Sequence, residues 1–403
     1  MNILVVSQYY YPEPFRLNEI CEELVKRNHN ITVLTSNPNY PDGEIYNGYQ
    51  NINSKEMING VVVYRCKCRP RHKGSINLAL NYIDFVRKAT KIISTIDEDF
   101  DCIYIYQLSP ITSCMPAIKL KKERKLPIFL YCLDVWPESL RGSILGREPF
   151  FSLIGQLSKW IYCNAEKIAV SSPSFLKYLA NYCDLNENVF SYLPQHARMI
   201  KITDEMSDLY MKYNQYINFI FLGNIGESQN VQCIIKAVSN IKDRSKMKLH
   251  IVGSGSYLEV CKKESKRLGT NDAVIFHGRR LQEEMPLFYR IADVCMVTLK
   301  DEGIVGYTIP AKLQEYMSAG KAVLGCINGD AANVINDAKC GINVPANNDV
   351  ELSKAMEFMI SNKEKLVEFG ENAKKYYLEN LTLDVHVNKL EKELESFSRG
   401  VSR

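Results

Sequence analysis

Short, uninterrupted apolar runs recur along the chain, and each leads through a turn into a segment with helical period. Ile3–Ser7, Cys102–Tyr106, Ile128–Leu133, Ile217–Leu222, Leu249–Val252 and Asp293–Leu299 are runs of this kind. A strand with one face in water alternates apolar and polar positions, whereas a run apolar throughout is covered on both faces, as in a parallel sheet. Between the runs, segments such as Leu17–Arg27, Asn77–Thr95, Val231–Asn240 and Tyr257–Leu268 space their apolar residues three and four apart, along one helix face. The alternation occurs twice, interrupted by a polar stretch from Arg198 to Gln215. The pattern predicts an α/β protein with two Rossmann-like parallel-sheet domains, residues 1–200 and 201–382. A last amphipathic segment, Leu383–Phe397, is left over.

In the second series a glycine follows four strands closely, at Gly223, Gly253, Gly278 and Gly303. Loops after parallel strands crowd one edge of the sheet, so four such turns favour a nucleotide-type ligand there. The densest stretch is Asp301–Lys321, D-E-G-I-V-G-Y-T-I-P-A-K-L-Q-E-Y-M-S-A-G-K. Gly303 and Gly306 allow a tight turn or a close ligand. Pro310 is expected at the first helical position and Gly320 at the left-handed cap. Free N–H groups and the positive dipole end of that helix attract an anion. Lys312 adds a charge in the first turn, and Glu315, one turn on, can accept hydrogen bonds from ribose hydroxyls. Taken alone, the two would also suit an ordinary surface pair.

The first domain lacks G-x-G-x-x-G after its first strand, so no dinucleotide site is expected there. Its loop Gln8–Arg16 carries Glu13 and Arg16 instead. Arg16, at a helix start, opposes the dipole, which mildly favours a role in binding an anion. The loop Asn37–Tyr49 reads as exposed and semi-rigid; its tyrosines suit flat sugar rings or simply pack the loop. Arg65, Lys67, Arg69, Arg71 and Lys73 alternate through a basic segment, and Ile111–Lys125 ends in K-L-K-K-E-R-K. Both suit an anionic membrane surface and, equally, solvated chain. Asp134-Val-Trp-Pro-Glu138 sets two carboxylates and Trp136 at a strand's carboxyl edge, as a sugar site needs. Alternatively, Trp136 packs the sheet and Asp134 caps the next turn.

Composition narrows the class. The chain has 403 residues, 46% hydrophobic and 24% charged, as in soluble globular proteins. A net charge of +4 is too mild to argue for nucleic acid. Thirteen scattered cysteines, many within apolar runs and none in Cys-x-x-Cys, suggest reduced core thiols and a cytoplasmic home. No signal peptide or membrane span is expected, and no Walker motif, H-E-x-x-H, nucleophile elbow or metal-binding Asp-x-Asp in a suitable loop is visible.

Six stretches then fall in order: Q-Y-Y-Y-P-E-P-F-R at Gln8–Arg16, N-P-N-Y-P-D-G at Asn37–Gly43, D-V-W-P-E-S at Asp134–Ser139, F-L-G-N-I-G at Phe221–Gly226, F-H-G-R-R at Phe276–Arg280, and T-I-P-A-K-L-Q-E-Y-M-S-A-G-K at Thr308–Lys321. Together they resemble the retaining, GT-B-fold glycosyltransferases of family 4, nearest the subgroup that assembles bacterial capsule, exopolysaccharide and O-antigen units. The resemblance implies two domains facing across a cleft, with residues 383–403 crossing back to the first. A UDP- or GDP-linked sugar would bind in the second domain, lined by Gly223, Asn224, Gly226 and Gly253. Gly278 and Arg279 would meet the nucleobase. Gly306, Tyr307, Thr308 and Ile309 would meet the diphosphate and Glu315 the ribose. The acceptor, polyprenyl-diphosphate-linked or another glycan, would enter from the first domain. Peripheral contact with the inner membrane is expected, and no cofactor or metal.

The chain also departs from the family. Tyr307 stands eight positions before Glu315, where many members have a Glu touching the sugar. Asn224 and Gln229 stand where many have an Arg and a Lys. Lys312, assisted by the helix dipole, is then expected to stabilise the departing nucleoside diphosphate, with Arg279 or Arg16 as further cations. Asp134 and Glu138 would orient the acceptor or donor sugar. Retention would proceed by front-face attack, without a protein nucleophile. Two other readings stay open: a non-catalytic nucleotide-sugar-binding protein, and a nucleotide-sugar epimerase. An epimerase needs acid/base groups in the cleft, yet His29, His72 and His386 lie in polar, surface-like segments, and only His196 and His277 are expected to flank the cleft.

Overall fold

The computed structural model describes residues 1–72, 74–141, 144–203 and 207–401; Lys73 of the basic segment lies outside the described residues. The chain forms two compact units, Met1–Pro194 with Leu383–Arg403, and Gln195–Thr382.

The first unit is built on eight strands: β1 (Asn2–Val6), β2 (Asn30–Ser36), β3 (Ser54–Ile58), β4 (Val61–Cys66), β5 (Cys102–Gln107), β6 (Ile128–Cys132), β7 (Lys167–Val170) and β8 (Phe190–Tyr192). Their order is β3-β4-β2-β1-β5-β6-β7-β8. All pairs are parallel except β3 with β4. β3 joins β4 through Asn59-Gly60, both at positive φ (49° and 84°), as a tight hairpin needs. Arg65 of the basic segment is neither solvated nor free for a membrane. It is 1% exposed, pairs with Glu56, and donates to the Tyr11 carbonyl at 2.7 Å.

The last helix, Leu383–Val401, closes this unit's core with Val387, Leu390 and Leu394. That helix corrects the reading of two histidines. His29 and His386 look polar in sequence, yet both are buried. His29 Nε2 lies 2.7 Å from Glu391 of the helix, and His386 Nδ1 lies 2.8 Å from the Pro194 carbonyl. Arg27 adds bonds to Asp384, Asn388 and Glu391. Trp136 is also buried, its Nε1 donating to Ser109 Oγ at 3.0 Å, so it packs the sheet. Among the described residues the cysteines are free thiols, all buried but Cys163, and no helix is long and apolar enough to cross a membrane.

The second unit has six parallel strands: β9 (Ile217–Leu222), β10 (Met247–Val252), β11 (Val274–Gly278), β12 (Val294–Thr298), β13 (Ala322–Cys326) and β14 (Gly341–Val344). They run β11-β10-β9-β12-β13-β14, so the chain winds outward in both directions from β9 and β12. In such sheets ligands bind where the winding reverses, outside the carboxyl ends of the two central strands. Here β9 and β12 pair only at Phe219–Val294 and Ile220–Cys295 and then part. The separation opens the edge at Leu222 and Gly223.

Candidate functional site

The helix Ala311–Ser318 stands at that opening, and one of its side chains reaches β9. The Leu222 N–H donates to Tyr316 Oη at 3.0 Å, taking up a backbone group that β12 leaves unpaired. Lys312 lies one helical turn before Tyr316 and therefore faces the same way. Its Nζ sits 3.7 Å from the centre of the Phe221 ring. A Cβ built on Gly223 would come within 3.7 Å of that nitrogen. The side chain as a whole is half-buried, but the ammonium is shielded and has no hydrogen-bond partner among the described residues. Burial pushes Lys312 down to about 7, against a smaller upward pull from Glu315. A shielded, unpartnered ammonium is costly unless an anion arrives.

The glycine turns build the rest of the edge. Gly223 N–H donates to Val252 O at 2.9 Å, Gly253 N–H to Gly278 O at 2.8 Å, and Ile225 N–H to Ser254 O at 2.9 Å. Gly253 has φ +146°, and a Cβ there would lie 1.8 Å from the Gly223 carbonyl oxygen. Gly253→Ala is therefore expected to push the first two turns apart. It should cost at least about 3 kcal/mol in chemical denaturation and abolish nucleotide binding in titration. A Cβ at Gly278 would meet nothing within 4 Å, and Arg279 beside it is exposed. Gly278 thus borders open space, as a site for a flat group requires.

The replaced family positions satisfy one another. Asn224 Nδ2 and the Gly226 N–H both donate to Gln229 Oε1 at 3.1 Å. Neither side chain carries a charge, which leaves Lys312 as the cation beside Gly223. Pro310 is the N-cap and Ala311 the first helical residue, one position later than the sequence suggests. Gly306, Tyr307, Thr308 and Ile309 form the helix approach, and the Tyr307 ring lies against Gly329, where a Cβ would stand 2.6 Å from it. Glu302 accepts from Ser228 Oγ at 3.0 Å. His277 Nε2 lies 2.9 Å from His250 Nδ1, and burial lowers the two to about 4 and about 3, so both are neutral near pH 7.

In the first unit, Glu13 gathers two loops. Its Oε1 accepts from the N–H groups of Asn39 and Tyr40 at 2.8 and 2.7 Å, and burial pushes its carboxyl up to about 7. Tyr9 consequently stacks on Phe15 at 5.1 Å and meets Tyr40 at 5.5 Å. Arg71 bonds the Tyr9 hydroxyl at 3.3 Å and lies over the Tyr40 ring. Sequence reading passed over Glu13 and Tyr316 as organisers. The three-tyrosine loop around Glu13 and the Lys312–Tyr316 spacing were the available signals. Asp134 Oδ2 accepts from the Ser109 N–H at 3.1 Å, and burial raises its carboxyl. Arg16 lies near enough to Tyr131 to act on its hydroxyl electrostatically. Glu138 is engaged by Arg141 and by the Tyr178 hydroxyl at 2.7 Å, which hold it below the usual carboxylate range against its burial.

Two Rossmann-like units with this edge define the GT-B fold. Its overall likeness to the HepE protein of Anabaena, solved in complex with UDP, has a TM-score of 0.72 at 14% identity over 98% of this chain and 100% of that one. Residues 203–376 match the family model described as Glycosyl transferases group 1. The Probable glycosyltransferase WbjE of Pseudomonas aeruginosa is 25% identical over 56% of this chain, which spans 57% of that protein's length. The O-antigen chain mannosyltransferase C of Escherichia coli is 20% identical over 99% of this chain and 100% of its own. These likenesses support glycosyl transfer.

Proposed function

We propose that the protein is a retaining glycosyltransferase of family 4 that moves a sugar from a UDP- or GDP-linked donor to a polyprenyl-diphosphate-linked or other glycan acceptor in cell-surface polysaccharide assembly. The observation that carries this reading is the shielded, unpartnered Lys312 ammonium beside Gly223, at the opening between β9 and β12. The diphosphate lies there, on Lys312 and the N-terminus of the helix Ala311–Ser318. Glu315 takes the ribose and the Gly278-Arg279 turn the base. The C1–O bond to the diphosphate breaks as the acceptor oxygen bonds C1 from the same face. The acceptor proton passes to the departing phosphate oxygen. Negative charge on the leaving group grows along this path, and Lys312 offsets it where water is excluded. Asp134, in the first unit, is the carboxylate left to orient the acceptor. Glu138, tied to Arg141 and Tyr178, supports that loop instead. No metal is required in this scheme, so transfer should persist in excess chelator.

The neutral His250–His277 pair is bonded to itself, which disfavours epimerisation. The test is nucleotide release from a panel of UDP- and GDP-sugars, with and without a polyprenyl-diphosphate-sugar acceptor. Acceptor-dependent release with the anomeric configuration kept supports the reading. An isomerised sugar without acceptor, or binding without turnover, opposes it.

A further inference from the structure

The second unit sets two of its cysteines side by side. Cys233 lies in the first turn of the helix Val231–Asn240, and Cys326 ends β13 at the carboxyl edge of the sheet. Their sulfurs are 3.8 Å apart, although the residues are 93 positions apart in sequence. Cys326 Sγ also donates to the Pro345 carbonyl at 3.2 Å. Both side chains are buried, but the loop after β14 that meets Cys326 is a surface loop, with Pro345 and Asn347 exposed. An exposed bond of 2.7 Å, from Asn230 Nδ2 to Asn347 Oδ1, ties that loop to the helix start. A molecule as small as a peroxide needs only a local opening there to reach the pair.

The two thiols are unlike. The Cys233 thiol, with the N–H groups of Asn348 and Asn347, holds Cys326 below the usual thiol range against its burial. Cys326 and burial push Cys233 up. An acidic thiol touching a second thiol is the arrangement from which a disulfide forms; a structural cysteine packed alone is inert. Position links the pair to the glycine turns. The helix of Cys233 follows the Asn224–Gln229 turn, and Cys326 leads into the turn at Gly329, where the Tyr307 ring lies. A disulfide draws the sulfurs to about 2.05 Å, so the helix start or the strand end must shift. The neighbouring turn has little slack: a Cβ on Gly255 would lie 2.4 Å from the Ile225 carbonyl oxygen, and Thr298 Oγ1 bonds the Gln229 carbonyl.

We propose that Cys233 and Cys326 form a peroxide-sensitive dithiol whose disulfide weakens nucleotide binding at the adjacent sheet edge. The Cys326 thiolate attacks a peroxide oxygen; the O–O bond breaks, a sulfenic acid forms and hydroxide leaves. The Cys233 sulfur then attacks the sulfenic sulfur. The S–S bond forms as S–O breaks, and the hydroxyl leaves as water with the Cys233 proton. The two thiols give up two electrons and two protons, and one hydrogen peroxide becomes two waters. The effect on binding rests on the proposed donor site; the disulfide does not.

The reduced full-length protein is treated with hydrogen peroxide, its remaining thiols are alkylated, and unreduced peptides are mapped by mass spectrometry. Expected is a linked Cys233–Cys326 peptide that dithiothreitol abolishes. Titration with UDP and GDP should show affinity at least about fivefold lower after oxidation, for the nucleotide that the reduced protein binds. Cys233→Ala should bind nucleotide as wild type does, and lose both the link and the sensitivity. Cys326→Ala repeats the check from the strand. Oxidation at the exposed Cys163 gives different peptides and is told apart by the map. Absence of the linked peptide overturns the proposal. So does unchanged affinity in the linked protein, or an equal loss of affinity in peroxide-treated Cys233→Ala. If neither nucleotide binds the reduced protein, the donor reading fails and the effect on binding with it, while the peptide map alone decides the dithiol.

Discussion

Lys312→Ala is expected to lose about 10²–10³ of kcat/KM for sugar transfer and to weaken UDP or GDP binding by a similar factor. The size follows from the setting. An exposed lysine near a phosphate is worth little, because water and salt screen it. Lys312 Nζ is shielded, meets the Phe221 ring but no hydrogen-bond partner among the described residues, and sits at the free end of a helix whose dipole points the same way. Stability should move the other way. The folded protein holds Lys312 near 7 while the unfolded chain holds it near 10.4, so the unfolded state binds more protons between those values. The cost of the buried ammonium is full below pH 7 and is relieved as pH rises toward the unfolded value. Lys312→Met should therefore stabilise the ligand-free protein, most clearly near pH 6, even as transfer is lost. Thermal melting from pH 6 to pH 9, alongside donor titration, checks both signs.

Leu390→Ala should cost about 2–5 kcal/mol, because it empties a site with no exposed surface inside the first unit's core. Arg27→Ala should cost about 1 kcal/mol, although Arg27 makes three bonds to the same helix, because those partners lie partly in water. The contrast separates packing from ion pairing as the force that holds Leu383–Val401 in place. Both tryptophans lie in the first unit, so urea denaturation followed by their fluorescence reads this unit alone. Equal effects of the two substitutions would mean that the charged rim, not the apolar stripe, anchors the helix.

The fold was largely legible because parallel strands buried on both faces leave unbroken apolar runs. β3 was missed: SKEMI is an edge strand with alternate residues in water, and its only mark was the Asn-Gly pair before β4. The helix Asp330–Asp337 was missed because it is short and polar on its outer side. In the site, the glycines and Lys312 stood out locally. The shielding of Lys312 did not, since it depends on Phe221, from a strand about ninety residues earlier, and on Tyr316 filling the gap beside β9. The two buried histidines were misjudged, and Glu13 was passed over, for the same reason. A polar residue in a polar stretch reads as exposed unless its distant cover is known, here Asn39 and Tyr40 for Glu13 and the last helix for His29.

Lys312, its proton held only weakly above pH 7, waits for a nucleoside diphosphate at the opening between β9 and β12. Calorimetric titration of UDP and GDP at pH 8, in buffers of contrasting ionisation heat, tests it most directly. The account predicts uptake of about one proton with the nucleotide that binds. It also predicts that affinity falls as pH rises above 7, and that uptake disappears in Lys312→Ala. Tight binding with no proton uptake, unchanged in Lys312→Ala, would contradict it.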